Sequence, residues 1–281
     1  MQVPRLMARE AESHKGNYGR VLIVAGSRGM SGAASLATYA AVRSGAGLVT
    51  AAVPDRILDT VAAFDPCFMT VPLADAAGQI TAEATSEIDR LAQSATTIGI
   101  GPGLGQGDGV QAAVSSIYAN FSGPVVVDAD ALNAMSKVPE TLSKHAGPRI
   151  LTPHIGEFRR LAGEPDLSPS DCRMKAKKFA ADNEVILLLK GSKTLVTDGT
   201  NTYENTTGNA GMATGGCGDV LTGVITALSG QGYSPFEAAI LGAYIHGMAG
   251  DLAAAECGEI GLTAIDVAES LPAAFCEHGA S

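Results

Sequence analysis

The residues best placed to do chemistry gather around Asn205–Gly223, NTTGNAGMATGGCGDVLTG, where six of nineteen residues are glycine and Asp219 follows the last tight cluster. Glycine lets the backbone reach positive φ and lets a ligand approach with no Cβ in the way. The stretch runs into Val220–Ile225, which has the apolar spacing of a helix. A glycine loop that opens a helix presents unpaired N–H groups and the positive end of the helix dipole, a setting suited to phosphate. Asp219 alone could simply cap that helix, but capping needs one Asp and not a dozen small residues before it. Lys190-Gly191-Ser192-Lys193-Thr194 offers a second phosphate element, a lysine beside glycine where backbone and cation approach together. It is not a Walker A loop, because G-x-x-x-x-G-K-[ST] does not occur. His154, in Pro153-His154-Ile155-Gly156-Glu157, is either an exposed structural residue or a ligand contact at a strand end. Asp128 and Asp130 place two carboxylates in succession, one to cap a helix and the other to organise a site or a cation.

These residues need a scaffold, and the chain alternates short apolar runs with helical patterns. Expected strands are Arg20–Ala25, Leu48–Val53, Thr96–Ile100, Pro124–Asp128, Arg149–Thr152, Val185–Leu189 and Thr194–Thr197, the last followed by a hairpin-like return over Thr200–Glu204. Expected helices are Ala33–Arg43, Thr81–Ala92, Gly109–Ala119, Ser168–Asp182, Val220–Gly230, Pro235–Cys257 and Ala264–Phe275, with residues 55–95 read as helix broken by irregular segments. Strand, crossover helix and strand in succession predict a parallel sheet with right-handed connections. Gly26–Gly32 follows the first strand but lacks G-x-G-x-x-G, so it is a tight turn and no dinucleotide fingerprint. Gly101-Pro102-Gly103-Leu104-Gly105 empties from a strand end, where open α/β sheets bind ligands. His246 reads as a packed helix residue, and Lys175, Lys177 and Lys178 as a solvated face.

Composition narrows the partners. The chain has 281 residues without a Pro/Ser-rich linker, and is read as one α/β domain over 1–281. A net charge of −10 argues against a nucleic acid or an anionic membrane as partner. An anionic ligand must then be held by local donors. The five cysteines are scattered with no CxxC, consistent with free thiols. No signal-length apolar core opens the chain and no uninterrupted apolar run reaches membrane length. A cytoplasmic protein is expected.

The order of the motifs SHKGNYGRVLIVAGS, VRSGAGLVT, GIGPGLG, VVDADALN, LTPHIGEF, LLLKGSKT and TTGNAGMATGGCGDVLTG resembles the ADP-dependent NAD(P)H-hydrate dehydratase family of the ribokinase-like superfamily. The resemblance covers essentially the whole chain. It implies a three-layer α/β/α sandwich with a mostly parallel central sheet. It also implies repair of nicotinamide cofactors that have taken up water across C5–C6, NADHX and NADPHX. ADP would drive removal of water from the S epimer, releasing AMP and phosphate. The C6 hydroxyl would attack the terminal phosphate, and the ester would eliminate. Asp219 would be the base or orienting group. Carried over, Lys190, Gly191, Ser192, Lys193, Thr194, Asn209, Gly215, Gly216 and Gly218 hold the adenine nucleotide. Ala33, Gly103, His154 and Asp219 hold the hydrated nicotinamide. Mg²⁺ would bridge the phosphates, with Asp128 and Glu157 as distant organisers, and a homotetramer is expected.

Two positions depart from the family pattern: Thr206 stands where Pro is common, and Cys217 where a hydroxyl residue precedes Gly-Asp. Backbone donation survives both changes, but a thiol is a poor side-chain donor. With no epimerase segment recognised, the chain is expected to rely on a separate epimerase for the R form. Two other readings share parts of the pattern. An ATP-dependent vitamin kinase of the hydroxymethylpyrimidine or hydroxyethylthiazole type would keep the glycine loop and the Asp. A non-catalytic nucleotide-binding regulator would gain little from a carboxylate facing phosphate.

Overall fold

Short runs of Val, Ile, Leu and Ala fold into strands because both faces of the sheet are covered, so apolar residues at successive positions all find a core. The structure, a computed structural model, describes residues 2–280. The strands are β1 (Arg20–Val24), β2 (Leu48–Pro54), β3 (Met69–Leu73), β4 (Asp75–Ala76), β5 (Gln79–Ile80), β6 (Thr97–Ile100), β7 (Val125–Val127), β8 (Arg149–Leu151), β9 (Ile186–Leu189), β10 (Leu195–Thr197) and β11 (Thr202–Glu204). The helices are α1 (Ser31–Arg43), α2 (Leu58–Ala62), α3 (Ala84–Ala92), α4 (Asp108–Asn120), α5 (Ala129–Met135), α6 (Ile155–Leu161), α7 (Pro169–Asn183), α8 (Cys217–Gly230), α9 (Pro235–Gly261) and α10 (Ala264–Ala280).

Nine strands form one sheet in the order β11-β10-β9-β8-β7-β6-β1-β2-β3, and β4 and β5 make a separate hairpin. Pairing is parallel from β3 to β9; β10 and β11 run antiparallel at one edge. Period-two alternation sends Val125 and Val127 into the core beneath α3–α7, and Val126 into the opposite core with α8, α9 and α10. The result is the three-layer α/β/α sandwich.

The structure departs from the expected elements in instructive places. β3 and the β4–β5 hairpin lie inside the stretch read as interrupted helix. β3 (MTVPL) is an edge strand with mostly part-exposed residues and a proline, so it carries no continuous apolar signal. α8 begins at Cys217, three residues before the apolar run, and so takes Gly218 and Asp219 into its first turn. α9 is regular as far as Gly258, where φ of 75° breaks it, one residue past the expected end. By length and composition α9 could cross a bilayer, yet 61% of its most apolar window is buried in the core. Counting uninterrupted apolar residues passes over it.

Arg149 is wholly buried on β8, and among the described residues it has no carboxylate partner. Its guanidinium donates instead to the carbonyls of Ile117, Tyr118 and Phe121, where α4 runs out of intrahelical partners, and to those of Gly123 and Pro148. Burial lowers its pKa to about 10, so it remains charged at neutral pH. Arg149→Lys keeps the charge but loses the fork of donors. The expected cost is about 2–4 kcal/mol from stranded carbonyls and a poorly solvated ammonium, read as a lower midpoint in chemical denaturation.

Candidate active site

The chain runs from β1 to β2 and β3 on one side of the sheet, and from β6 onward on the other. β1 and β6 are therefore the topological switch point, where loops leaving the strand C-termini diverge and open a crevice. The loop after β1 docks there on the loop after β6. Gly26 N–H donates to the Pro102 carbonyl at 2.7 Å and the Ser27 hydroxyl to the Gly103 carbonyl at 2.8 Å. Gly103 has φ of 61°, and a Cβ on it would stand 2.9 Å from the Ala33 Cβ. Ala33 and Gly103, far apart in sequence, thus meet at the mouth of the crevice. Gly105 N–H reaches the Asp130 carboxylate at 2.8 Å.

The glycine loop is fastened to α9 before it reaches α8. Asn205 donates to the Ala243 carbonyl, the Thr207 hydroxyl to the Tyr244 carbonyl, and Gly208 N–H to Asp251. The Asn209 side chain donates to Gly250 and Asp251 and accepts from Gly211 N–H. Thr214 and Gly215 remain exposed. Gly216 then occupies the N-cap of α8 at φ of 93°, a conformation open to glycine, and no side chain caps the helix. Asp219 is the third residue of α8 and not its cap, which removes the simplest structural account of it. The first turn of α8 keeps its amides available for an anion.

Asp128, Glu157, Lys190 and Asp219 converge beside this turn. Asp128 is 1% exposed, and its Oδ1 lies 2.6 Å from the Lys190 Nζ. Its Oδ2 accepts the Thr222 hydroxyl at 2.8 Å. Glu157 Oε2 stands 4.0 Å from the same ammonium. Ala129, between the two aspartates, has φ of 50°, an uncommon conformation for a residue with a Cβ, and it points Asp128 and Asp130 to different partners. Burial works against the Lys190 ammonium, but Asp128 and then Glu157 outweigh it and raise its pKa, so it is charged. Burial and then the Asp128 charge push the Asp219 pKa up to about 7, with Lys190 opposing and Asp130 adding. A carboxyl that titrates near neutrality can accept a proton there.

The sequence-derived candidates fall into two groups. Lys190, Gly218 and Asp219 come together at the start of α8; a Cβ on Gly218 would stand 3.3 Å from the Lys190 Nζ. His154 joins them through the backbone: it bridges to Lys190, whose N–H donates to the Pro153 carbonyl at 2.8 Å. The His154 imidazole is 55% exposed, and its Nδ1 accepts the Gly156 and Glu157 amides as the cap of α6. Gly191, Ser192 and Lys193 lie in an exposed turn beside it, closed by Thr194, whose hydroxyl donates to the Gly191 carbonyl at 3.0 Å. The Asn209 side chain is directed instead into α9, where it shapes the loop. Cys217 is 5% exposed and burial raises its thiol to about 11. Its side chain belongs to the core, so the missing hydroxyl removes no exposed donor.

Thr222, Asp251 and Thr207 were not singled out from sequence. Thr222 alone had a signal, lying three residues after Asp219 on the same helical face. Among the described residues no group of three His, Cys, Asp or Glu side chains is arranged to hold a metal. Both Asp128 oxygens are engaged, and the cation that Asp128 and Glu157 face is the Lys190 ammonium. These residues do not fit a resident caged Mg²⁺.

A family model described as NAD(P)H-hydrate dehydratase matches residues 21–273. The bifunctional NAD(P)H-hydrate repair enzyme Nnr of Moorella thermoacetica is 45% identical over 276 residues, covering 96% of this chain and 51% of that protein. The chain thus spans about half the length of the curated relatives it matches. Among solved structures, the ADP/ATP-dependent NAD(P)H-hydrate dehydratase of Bacillus subtilis, co-crystallised with ATP/Mg²⁺, superposes with a TM-score of 0.85 at 32% identity over 98% of this chain and 95% of that one. A ribokinase-like superfamily protein of Enterococcus faecalis gives 0.83 at 28% identity, over 98% of this chain and 92% of that one.

Proposed function

The chain belongs to the NAD(P)H-hydrate dehydratase family, and on that footing we propose that it dehydrates the S epimer of NADHX and NADPHX with ADP as phosphoryl donor. The observation that carries the reading is Asp219, a carboxyl of pKa about 7 in the uncapped first turn of α8. Phosphoryl transfer asks for positioning and charge neutralisation more than for covalent help. The amides of Gly215, Gly216 and Gly218 and the Lys190 ammonium face the nucleotide phosphates, and the Gly191–Thr194 turn lies along the nucleotide. Ala33, Gly103 and His154 line the side that takes the hydrated nicotinamide.

Asp219 removes the proton from the C6 hydroxyl as its oxygen attacks the terminal phosphorus of ADP, and AMP leaves. The C6–O bond of the phosphate ester then breaks, C5 gives up a proton to the departing phosphate, and the C5–C6 double bond returns as inorganic phosphate leaves. Magnesium bound with the nucleotide would neutralise phosphate charge. A separate epimerase activity would supply the S form from the R form, and residues 1–281 would serve as one catalytic domain, working as a homotetramer.

The test is absorbance of reduced nicotinamide in a mixture of purified protein, (S)-NADHX and Mg²⁺, started with ADP or with ATP. An ADP-dependent rise with AMP formed in step supports the proposal. A rise with ATP only would move the donor assignment, and no rise with either would remove the dehydratase reading.

A further inference from the structure

Asp128 joins three elements that each deliver part of the site. It ends β7, its Oδ1 binds the Lys190 ammonium at the end of β9, and its Oδ2 holds Thr222 on α8. Thr222 also donates to the Gly218 carbonyl at 3.2 Å, so the same contact braces the turn that carries Asp219. Lys190 makes its ion pairs within 4.0 Å to Asp128 and Glu157; among the described residues Asp219 is not one of them. Yet Asp219 feels the Lys190 charge, and a Cβ on Gly218, its chain neighbour, would stand 3.3 Å from the Lys190 Nζ. In a site of low dielectric a buried ammonium seeks the nearest carboxylate, and there are three to choose from.

We propose that Asp128 is a positioning residue: by binding the Lys190 ammonium, it keeps that ammonium from pairing with Asp219 and so preserves Asp219 as a proton acceptor. The inference rests on the reading of Asp219 as the base. The groups that face this arrangement come from every neighbouring element. Asp128 ends β7, Asp130 opens α5, Glu157 lies on α6, Lys190 follows β9, and Cys217 shares α8 with Asp219. His246 on α9 is buried, and burial lowers its pKa to about 4, so it carries no charge at neutral pH. Lys190 is therefore the cation in contact with this carboxylate group. Without Asp128 its remaining partners are Glu157 and Asp219. Glu157 is already committed to the α6 capping box, where it accepts the His154 amide at 2.9 Å. Among the described residues Asp219 has no such engagement, and it would take the charge.

The test is the titration of Asp219 in protein labelled with ¹³C at aspartate carboxyls, the signal assigned by its loss in Asp219→Asn. In Asp128→Asn the Asp219 midpoint is expected to fall by about one pH unit or more, a tenfold change in proton affinity. Loss of the Asp128 charge lowers the midpoint by itself, so the same substitution is also made in Lys190→Met, which has no ammonium to release, and there the fall is expected to be clearly smaller. An unchanged midpoint in folded Asp128→Asn, or an equal fall on adding Asp128→Asn to Lys190→Met, would overturn the proposal. Should Asp128→Asn not fold, Lys190→Met alone carries the test, since an ammonium held by Asp128 and not by Asp219 is removed with little effect on that group. A rise of the Asp219 midpoint by less than about one pH unit supports the proposal, and a larger rise, as from the loss of a direct ion pair, overturns it. The titration needs no substrate, so it stands apart from the dehydratase reading. With turnover established, the acid limb of the kcat profile should move by the same amount, which a merely structural role for Asp128 would not produce.

Discussion

Asp219→Asn is expected to lower kcat for dehydration by on the order of a thousandfold, within the range that a positioned general base contributes. The replacement is nearly isosteric and keeps the first turn of α8, so nucleotide affinity should hold or tighten as a negative charge near the phosphates is removed. In the wild-type protein kcat should rise with pH through about 7 as Asp219 ionises, and this limb should be absent from any residual activity of the variant. A stability change of opposite sense follows. The folded-state pKa of about 7 lies above the ordinary 3.8, so the fold favours the protonated acid. Stability from this group is present at low pH and is lost as pH rises from about 4 to about 7. Asparagine cannot ionise, and Asp219→Asn should therefore be more stable than wild type at pH 8, by on the order of 1–3 kcal/mol, with the difference closing toward pH 4. Steady-state kinetics and thermal melts at the two pH values check both halves. Unchanged turnover would sink the base assignment.

Lys190→Ala is expected to weaken ADP binding about tenfold or more, since a charge-assisted contact to phosphate is worth roughly 1.5–3 kcal/mol. The structure adds a consequence that nucleotide binding alone would not suggest. The ammonium is the partner of buried Asp128 and lies against Glu157, with 19% of the lysine side chain exposed. Its removal leaves two carboxylates facing each other beside a third, and breaking a buried pair in this way costs about 3–5 kcal/mol. The Asp219 acid limb should also move to higher pH, because the Lys190 charge that opposes the rise is gone. Titration calorimetry with ADP and denaturation midpoints measure the two effects separately. Unaltered ADP affinity in folded protein would contradict a phosphate role and leave Lys190 as a purely internal counter-ion.

Much of this arrangement was legible before any coordinates, where the signals are local. The glycine loop followed by Val220–Ile225 marks a helix start within one continuous stretch. The strand ends at Ile100, Val127 and Leu189 are each announced by an apolar run that meets glycine, aspartate or a Lys-Gly pair. Local signals also have local failures. α8 starts at Cys217 because backbone geometry, and not apolarity, sets the first turn. β3 escaped notice because an edge strand needs only one good face, and Pro72 breaks the pattern further.

The sequence by itself determined the fold class, the alternation of strands and helices, and the motif order that points to the family, because periodicity and turn chemistry act over a few residues. Only the tertiary structure decided which carboxylate does what. Asp128 and Lys190 are 62 positions apart and Asp128 and Thr222 are 94 apart, distances over which no residue pattern carries information. Which of three acidic groups neutralises one lysine depends on separations of a few ångströms inside a low-dielectric site, where a small change in distance outweighs residue type. That choice leaves Asp219 without an ion-pair partner among the described residues and able to exchange a proton near neutral pH.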